Sequence, residues 1–133
     1  IYDADFEGKK GGKLIIDGSK YSTYRFTEIG TLEIDKTYDD EFIVKKLKNL
    51  DVSESKYTEF EVGSLSGQVD LLDSHDDKLE VDNVENSFKG LIVKGKYTKV
   101  NMDIPSSIKY LLEVEMTHGN IDYPEDSRLL IPK

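Results

Sequence analysis

Two histidines are the residues of this chain best suited to proton transfer or metal binding. His75 and His118 are its 2 histidines, and an unperturbed imidazole titrates close to neutral pH. Both fall in a recurring position that tyrosine fills elsewhere, at Tyr21, Tyr38, Tyr57 and Tyr97. A position that accepts either ring indicates an aromatic used for packing or contact. Neither histidine is therefore predicted to be catalytic.

The densest acidic group has the chemistry of a calcium site. It consists of Asp70, Asp73, Asp76 and Asp77, and Ca²⁺ takes carboxylate and carbonyl oxygens as ligands. Neither the EF-hand spacing nor the Gly/Asp nonapeptide of calcium-binding β-rolls is present. The group is predicted to be a solvated acidic turn, and no metal or cofactor site is predicted anywhere in the chain.

The recurring tyrosines are the candidate binding residues. The chain contains 8 tyrosines, of which Tyr21, Tyr38, Tyr57 and Tyr97 share the recurring position. A column of them on the surface could bind a glycan or a protein partner, whereas an inward column would be part of the core. The sequence leaves both orientations open.

These positions recur because the whole chain repeats a unit best displayed by residues 50–65, LDVSESKYTEFEVGSL. The unit opens with an apolar pair separated by one polar residue, and the first members of the successive pairs recur at a nearly constant spacing: Leu14, Leu32, Leu50, Val69, Leu91 and Leu112. A closing apolar position keeps almost the same spacing: Ile29, Leu47, Leu65, Val84 and Ile104. Two independent positions thus define one repeat.

This repeat predicts an all-β chain. Helical hairpin repeats need roughly 30 residues or more, whereas these short segments alternate with period 2 and favour Val, Ile, Tyr and Phe. We expect a single-domain, parallel β-helix-like β-solenoid of about six coils, each of about 18–22 residues. An antiparallel β-sandwich or barrel is the alternative. One extra residue is expected in the second and fourth units, behind Tyr38-Asp39-Asp40 and His75-Asp76-Asp77.

The expected organisation is one domain over residues 1–133. Residues 1–13 are predicted to be an N-terminal cap or connector, residues 14–104 five coils, and residues 105–133 the final coil with a C-terminal cap. The apolar tail at 129–131 belongs to that cap. Almost no helix is expected.

Composition narrows the class of partner. A net charge of −9 argues against nucleic acid and against docking on an anionic membrane. No apolar run is long enough to insert into a bilayer, and the absence of cysteine excludes disulfides and thiolate chemistry. Because the chain begins at Ile1 rather than Met, we expect an upstream piece to have been removed, by signal cleavage or in preparation.

Two stretches, LEVDNVENSFKGLIVKGKYTKVNMDIP (79–105) and YLLEVEMTHGNIDYPED (110–126), carry a family resemblance. With the Ile104-Pro105 break and the turn at 117–121, they resemble the bacterial adhesin family best represented among exported Bacteroidetes proteins. The resemblance covers most of residues 12–126. It implies a β-solenoid, a location in the periplasm or on the cell surface, and adhesion to a glycan or to an envelope or host protein. It supplies no catalytic residue.

The predicted function is therefore non-enzymatic. A periplasmic structural or sensory module is the first alternative. A hexapeptide-repeat acyltransferase also has coils of similar length, but it needs three similar hexads in each coil. Here the three segments differ, and the spacing grows from about 18 to about 22 residues along the chain. Both features disfavour that enzyme.

Overall fold

The computed structural model describes residues 4–118 and 120–122, and strands are the only regular secondary structure in that part of the chain. Every strand pair in it is parallel. The β-solenoid prediction is confirmed, and the antiparallel sandwich or barrel is wrong because such folds require antiparallel neighbours. Across these same residues, no helix has the length and apolarity needed to cross a membrane.

The coils form two stacks of strands. The strands are β1 Asp5–Lys20, β2 Thr23–Tyr38, β3 Glu41–Lys56, β4 Glu59–Leu65, β5 Gln68–His75, β6 Lys78–Val84, β7 Gly90–Lys96, β8 Lys99–Met102, β9 Leu111–Thr117 and β10 Asn120–Asp122. The first half of β3 pairs with β4 and its second half with β5. The first stack therefore continues through β6, β8 and β10, and the second through β7 and β9.

One core lies between the two stacks. In the first stack Tyr24 pairs with Phe42 and Phe42 with Phe60, and their rings stack at centroid distances of 4.6 and 5.4 Å. In the second stack Leu32 pairs with Leu50, which pairs in turn with Val69. All of these side chains are buried. Burying each one stabilises the fold by about 2 kcal/mol before the entropy of ordering is counted.

The coils lengthen along the chain. The first ones are equal in length, since Asp5, Thr23, Glu41 and Glu59 follow one another in register at a constant spacing. Their successors in the first stack, Lys78, Lys99 and Asn120, are farther apart, so a coil of about 18 residues grows to one of about 21. The extra residues lie at the corner between the stacks, where the core gains additional apolar side chains: Phe88, Ile104 and Ile108. The solenoid is therefore narrower at its amino-terminal end.

The first coil begins earlier than expected. β1 starts at Asp5 and pairs with β2 from Asp5 to Lys20, so residues 5–13 are strand and corner rather than a connector. Gly8 faces the core there, and a Cβ on it would lie 2.8 Å from Phe26 Cδ1. The expected C-terminal cap at 123–133 and the cap residues 1–3 lie outside the described residues.

The sequence also predicted one extra residue after each of the turns at 38–40 and 75–77. The strands that follow these turns, β3 and β6, contain no such extra residue. Phe42 pairs with Phe60 and Phe60 with Leu79 across these turns without a shift. The register irregularity lies elsewhere, in the pairing of β5 with β7 between Leu71 and Ser74.

Candidate functional site

Each coil closes with a short turn, and the turns stack along one edge of the solenoid. The last strand residue of each turn stands in one column: Lys20, Tyr38, Lys56, His75, Lys96 and Thr117. The residue after it has a positive φ, between 49° and 56°: Tyr21, Asp39, Tyr57, Asp76, Tyr97 and His118. We call the first set the strand-end column, the second the left-handed column, and both together the turn edge.

At these left-handed residues the backbone also links one coil to the next. In the first five coils, the backbone N–H of the left-handed residue donates to the strand-end carbonyl of the following coil. Tyr21 N lies 3.1 Å from Tyr38 O, and Tyr57 N lies 3.0 Å from His75 O. This conformation costs an ordinary side chain roughly 1 kcal/mol, and aspartate tolerates it better than tyrosine does.

The predicted tyrosines all lie on the outer surface of this edge. Tyr21, Tyr57 and Tyr97 are 47%, 51% and 54% exposed, and Tyr38 is half-buried between two of them. The rings of Tyr21 and Tyr57 each meet the Tyr38 ring edge to face, at 5.8 and 5.7 Å. All four candidates therefore face outward along one edge, in two groups of touching rings. Tyr21, Tyr38 and Tyr57 form the first, and Tyr97 forms the second with His118, on which it stacks at 5.2 Å.

The sequence predicted one recurring position for all of these rings, but in the structure they are divided between the strand-end column and the left-handed column. Tyr38 and His75 are strand-end residues, paired with Lys20 and Lys96 respectively. Aspartates take the left-handed column in those two coils. In the first three coils the rings still touch, because the Tyr38 side chain of one column contacts Tyr21 and Tyr57 of the other.

A buried polar ladder runs beneath the turn edge. In the first five coils the residue after the left-handed one points inward: Ser22, Asp40, Thr58, Asp77 and Thr98. Asp77 is 3% exposed and accepts hydrogen bonds from the Ser55 and Ser74 hydroxyls and from the Thr58 N–H, the last at 2.8 Å. Burial raises the pKa of Asp77 above its ordinary value, and this effect is larger than the opposite effect of the hydrogen-bond donors, which lower the pKa.

The predicted solvated acidic turn is therefore wrong at Asp77, although Asp73 and Asp76 are exposed. Asp40 has the same role in an earlier coil, where it accepts from the Thr37 hydroxyl and, at 2.8 Å, from the Ser22 N–H. The available signal was the repeated Asp-Asp pair, whose second member aligns with serine or threonine in the other units.

A groove of about 630 Å³ runs beside the turn edge. Lys20, Tyr38, Lys56 and His75 line one side of it. His75 Nε2 lies 2.7 Å from Asp73 Oδ1, so this histidine has a carboxylate partner within its own strand. The groove therefore offers a concave, mixed aromatic and charged surface.

Carboxylates cluster on the outer face of each stack. On the first stack, carboxylate oxygens of Glu41, Glu59 and Glu61 lie within 4.8 Å of one another. Such closeness follows from stacking acidic residues in adjacent strands. Burial, and then Glu41 and Glu80, raise the pKa of Glu61. On the second stack, burial, followed by Asp70 and Glu33, raises the pKa of Asp51.

Comparison with known proteins adds no relative: no family model, no curated protein and no solved structure matches this chain. The fold is that of a β-solenoid whose turn edge carries exposed aromatic side chains. Membership of the bacterial adhesin family stays a prediction from the motifs.

Proposed function

We propose that this chain is a non-enzymatic binding module of the cell envelope or cell surface, an adhesin that holds its partner along the turn edge. One observation carries the proposal. Tyr21, Tyr57 and Tyr97 are about half exposed, yet they adopt a backbone conformation that large side chains disfavour. Exposed aromatics of this kind are typical of residues that recognise a partner.

Stability alone does not account for these tyrosines. Asparagine or glycine at the same positions would relieve the backbone strain, and the chain itself uses aspartate there in two coils. Each ring gains contact with its neighbours in the column, but about half of its surface stays in water. Exposed aromatics that the fold keeps in a strained conformation support a binding role for this edge.

The test is a triple variant, Tyr21→Asn with Tyr57→Asn and Tyr97→Asn. Because the fold accepts Asp39 and Asp76 in the same conformation, the variant is expected to fold. We expect its binding to immobilised glycans and envelope proteins to fall at least ~10-fold, as for loss of a hot spot. Leu72→Asn is the control, since Leu72 is 45% exposed and lies off the turn edge. Equal binding by the triple variant would refute the proposal.

Location is tested separately, by adding protease to intact cells that make the full-length protein. Cleavage is expected if the domain is displayed for adhesion. Protection within the periplasm would instead favour the structural or sensory module, and a cytosolic location would contradict both.

A further inference from the structure

The turn edge repeats every two coils rather than every coil. In the strand-end column, Lys20, Lys56 and Lys96 alternate with the rings of Tyr38 and His75. In the left-handed column, Tyr21, Tyr57 and Tyr97 alternate with Asp39 and Asp76. The first, third and fifth coils therefore present a lysine beside a tyrosine, and the second and fourth present a ring beside an aspartate. The sixth coil departs from this alternation, with Thr117 beside His118.

This alternation fixes the distance at which like residues recur along the turn edge. Adjacent coils are separated by about 4.8 Å, so like residues on the turn edge recur about every 10 Å. An extended β-linked polysaccharide advances by close to one strand spacing for each sugar. Two coils therefore match one disaccharide, and a chain lying along the edge would meet the same side chains at each repeat.

The charges along the edge also alternate. Lys20, Lys56 and Lys96 are exposed, and their ammonium groups form no ion pair with any residue in the described ranges. Lys20 Nζ lies 5.7 Å from the centroid of the Tyr38 ring. In a chain of net charge −9, these cations are separated along the edge by the exposed Asp39 and Asp76, so the edge suits a ligand whose negative charges recur at the same interval. The lysines provide one positive charge for every two coils.

We propose that the turn edge binds an extended acidic polysaccharide with a disaccharide repeat, one sugar neutral and the next carrying a carboxylate. Lys20, Lys56 and Lys96 bind the carboxylates, and the tyrosines beside them pack against sugar rings. The exposed carboxylates of Asp39 and Asp76 accept hydrogen bonds from hydroxyls of the neutral sugars. This inference rests on the proposed function and specifies its partner.

The probe for the test is a hyaluronan octasaccharide, in which carboxylates alternate with neutral sugars, titrated into the protein by calorimetry. The same oligosaccharide with its carboxyl groups reduced to alcohols is the matched neutral ligand. We expect the acidic chain to bind several-fold more tightly, with an affinity that falls as salt is added. Lys56→Gln is expected to weaken it roughly threefold, within the range of an exposed ion pair. Lys48→Gln, at the opposite corner, should leave it unchanged.

The outcomes separate this inference from the proposed function. Equal binding of the acidic and reduced chains, or no effect of Lys56→Gln, would overturn the acidic disaccharide while leaving the tyrosine edge as a glycan site. If neither chain binds but the triple tyrosine variant still loses adhesion, the polysaccharide is wrong and the adhesive edge stands. If the tyrosine variant adheres normally, the proposed function fails as well.

Discussion

The buried carboxylates are the least ordinary residues of this molecule. Asp40 and Asp77 are each 3% exposed, in coils whose neighbours place serine or threonine at the same level. A buried carboxylate is costly unless donors surround it. Here hydroxyls from the strands and a backbone N–H from the neighbouring turn supply those donors. Each aspartate thus ties two coils together at the turn edge.

Replacing Asp77 by asparagine should be clearly destabilising. The new amide NH₂ would replace the oxygen that accepts from the Ser55 and Ser74 hydroxyls. Those hydroxyls could rotate to accept from it, but their protons would lose a buried acceptor, which costs about 1–3 kcal/mol. Asp76→Asn is the matched control, because Asp76 is exposed and asparagine accepts its left-handed backbone. It should change the free energy of unfolding by less than about 0.5 kcal/mol. Urea denaturation of both variants measures this, and equal losses would show that the buried ladder does not stabilise the fold.

At this scale the sequence predicted the aromatic column but not its pairing. Aligning the sequence by residue type placed Tyr38 and His75 in the same position as the other rings. Nothing in the sequence indicated that Tyr21, Tyr57 and Tyr97 have a positive φ, because tyrosine is rarely found in that conformation. In the coils of Tyr38 and His75, the backbone register gives that conformation to Asp39 and Asp76. The inward turn of Asp77 was hidden for the same reason, since one position along the turn changes a solvated carboxylate into a buried one.

The strands were predictable because the alternation of apolar residues is regular and the parallel stack preserves it. Their ends were less predictable. β1 continues through Lys9, Lys10 and the glycines around them, although that composition is typical of a connector. Pairing with β2 along its whole length overrides the local preference. Local irregularities such as the shift between Leu71 and Ser74 leave no mark on the periodic pattern.

Gly95, in β7, provides a test of that irregularity. It has a φ of 152°, and a Cβ on it would lie 1.7 Å from the Ser74 carbonyl oxygen. Gly95→Ala must therefore displace backbone, and we expect a loss of at least ~3 kcal/mol in the free energy of unfolding.

Gly18→Ala is the control for that substitution. Gly18 lies in β1, and a Cβ there would meet nothing within 4 Å. We expect the variant to equal or slightly exceed the original protein in stability, by up to about 1 kcal/mol. Thermal or urea unfolding measures the stability of the two variants. Similar stabilities would mean that β5 and β7 are not held in this register.

At the scale of the whole molecule, the stacking of coils brings acidic side chains of neighbouring strands close together. Glu61 stands among Glu41, Glu59 and Glu80, and each of these neighbours raises its pKa in addition to the larger effect of burial. The pKa of Asp51 is raised by burial first and then by Asp70 and Glu33. Folding therefore has to offset the burial of these carboxylates and, to a smaller extent, a repulsion that the unfolded chain largely escapes.

Burial of carboxylates, together with this repulsion, predicts that the protein is more stable in mild acid than at neutral pH. The pKa values of Asp51, Glu61 and Asp77 are raised in the folded state, so the folded protein binds more protons than the unfolded chain. Their stabilising contribution is complete below the unfolded pKa, about 4. It is lost as pH rises through the folded values.

The urea midpoint should accordingly fall as pH rises from about 4.5 to about 7.5. In Asp77→Asn the fall should be shallower, because one of the raised groups no longer titrates. A midpoint that instead rises with pH would show that ion pairs such as Arg25–Asp5 and Lys13–Glu33 outweigh the repulsion.

The lengthening of the coils also affects how copies of this chain can meet. Head-to-tail stacking in continuous register would set the first coil, with Gly12 at its corner, against a last coil whose corner carries Ile104, Ile108 and Tyr110. The shorter first coil cannot cover the longer last one. Strand edges elsewhere invite open-ended fibre growth. Among the described coils, this difference in cross-section works against a continuous fit between the first coil of one copy and the last coil of another.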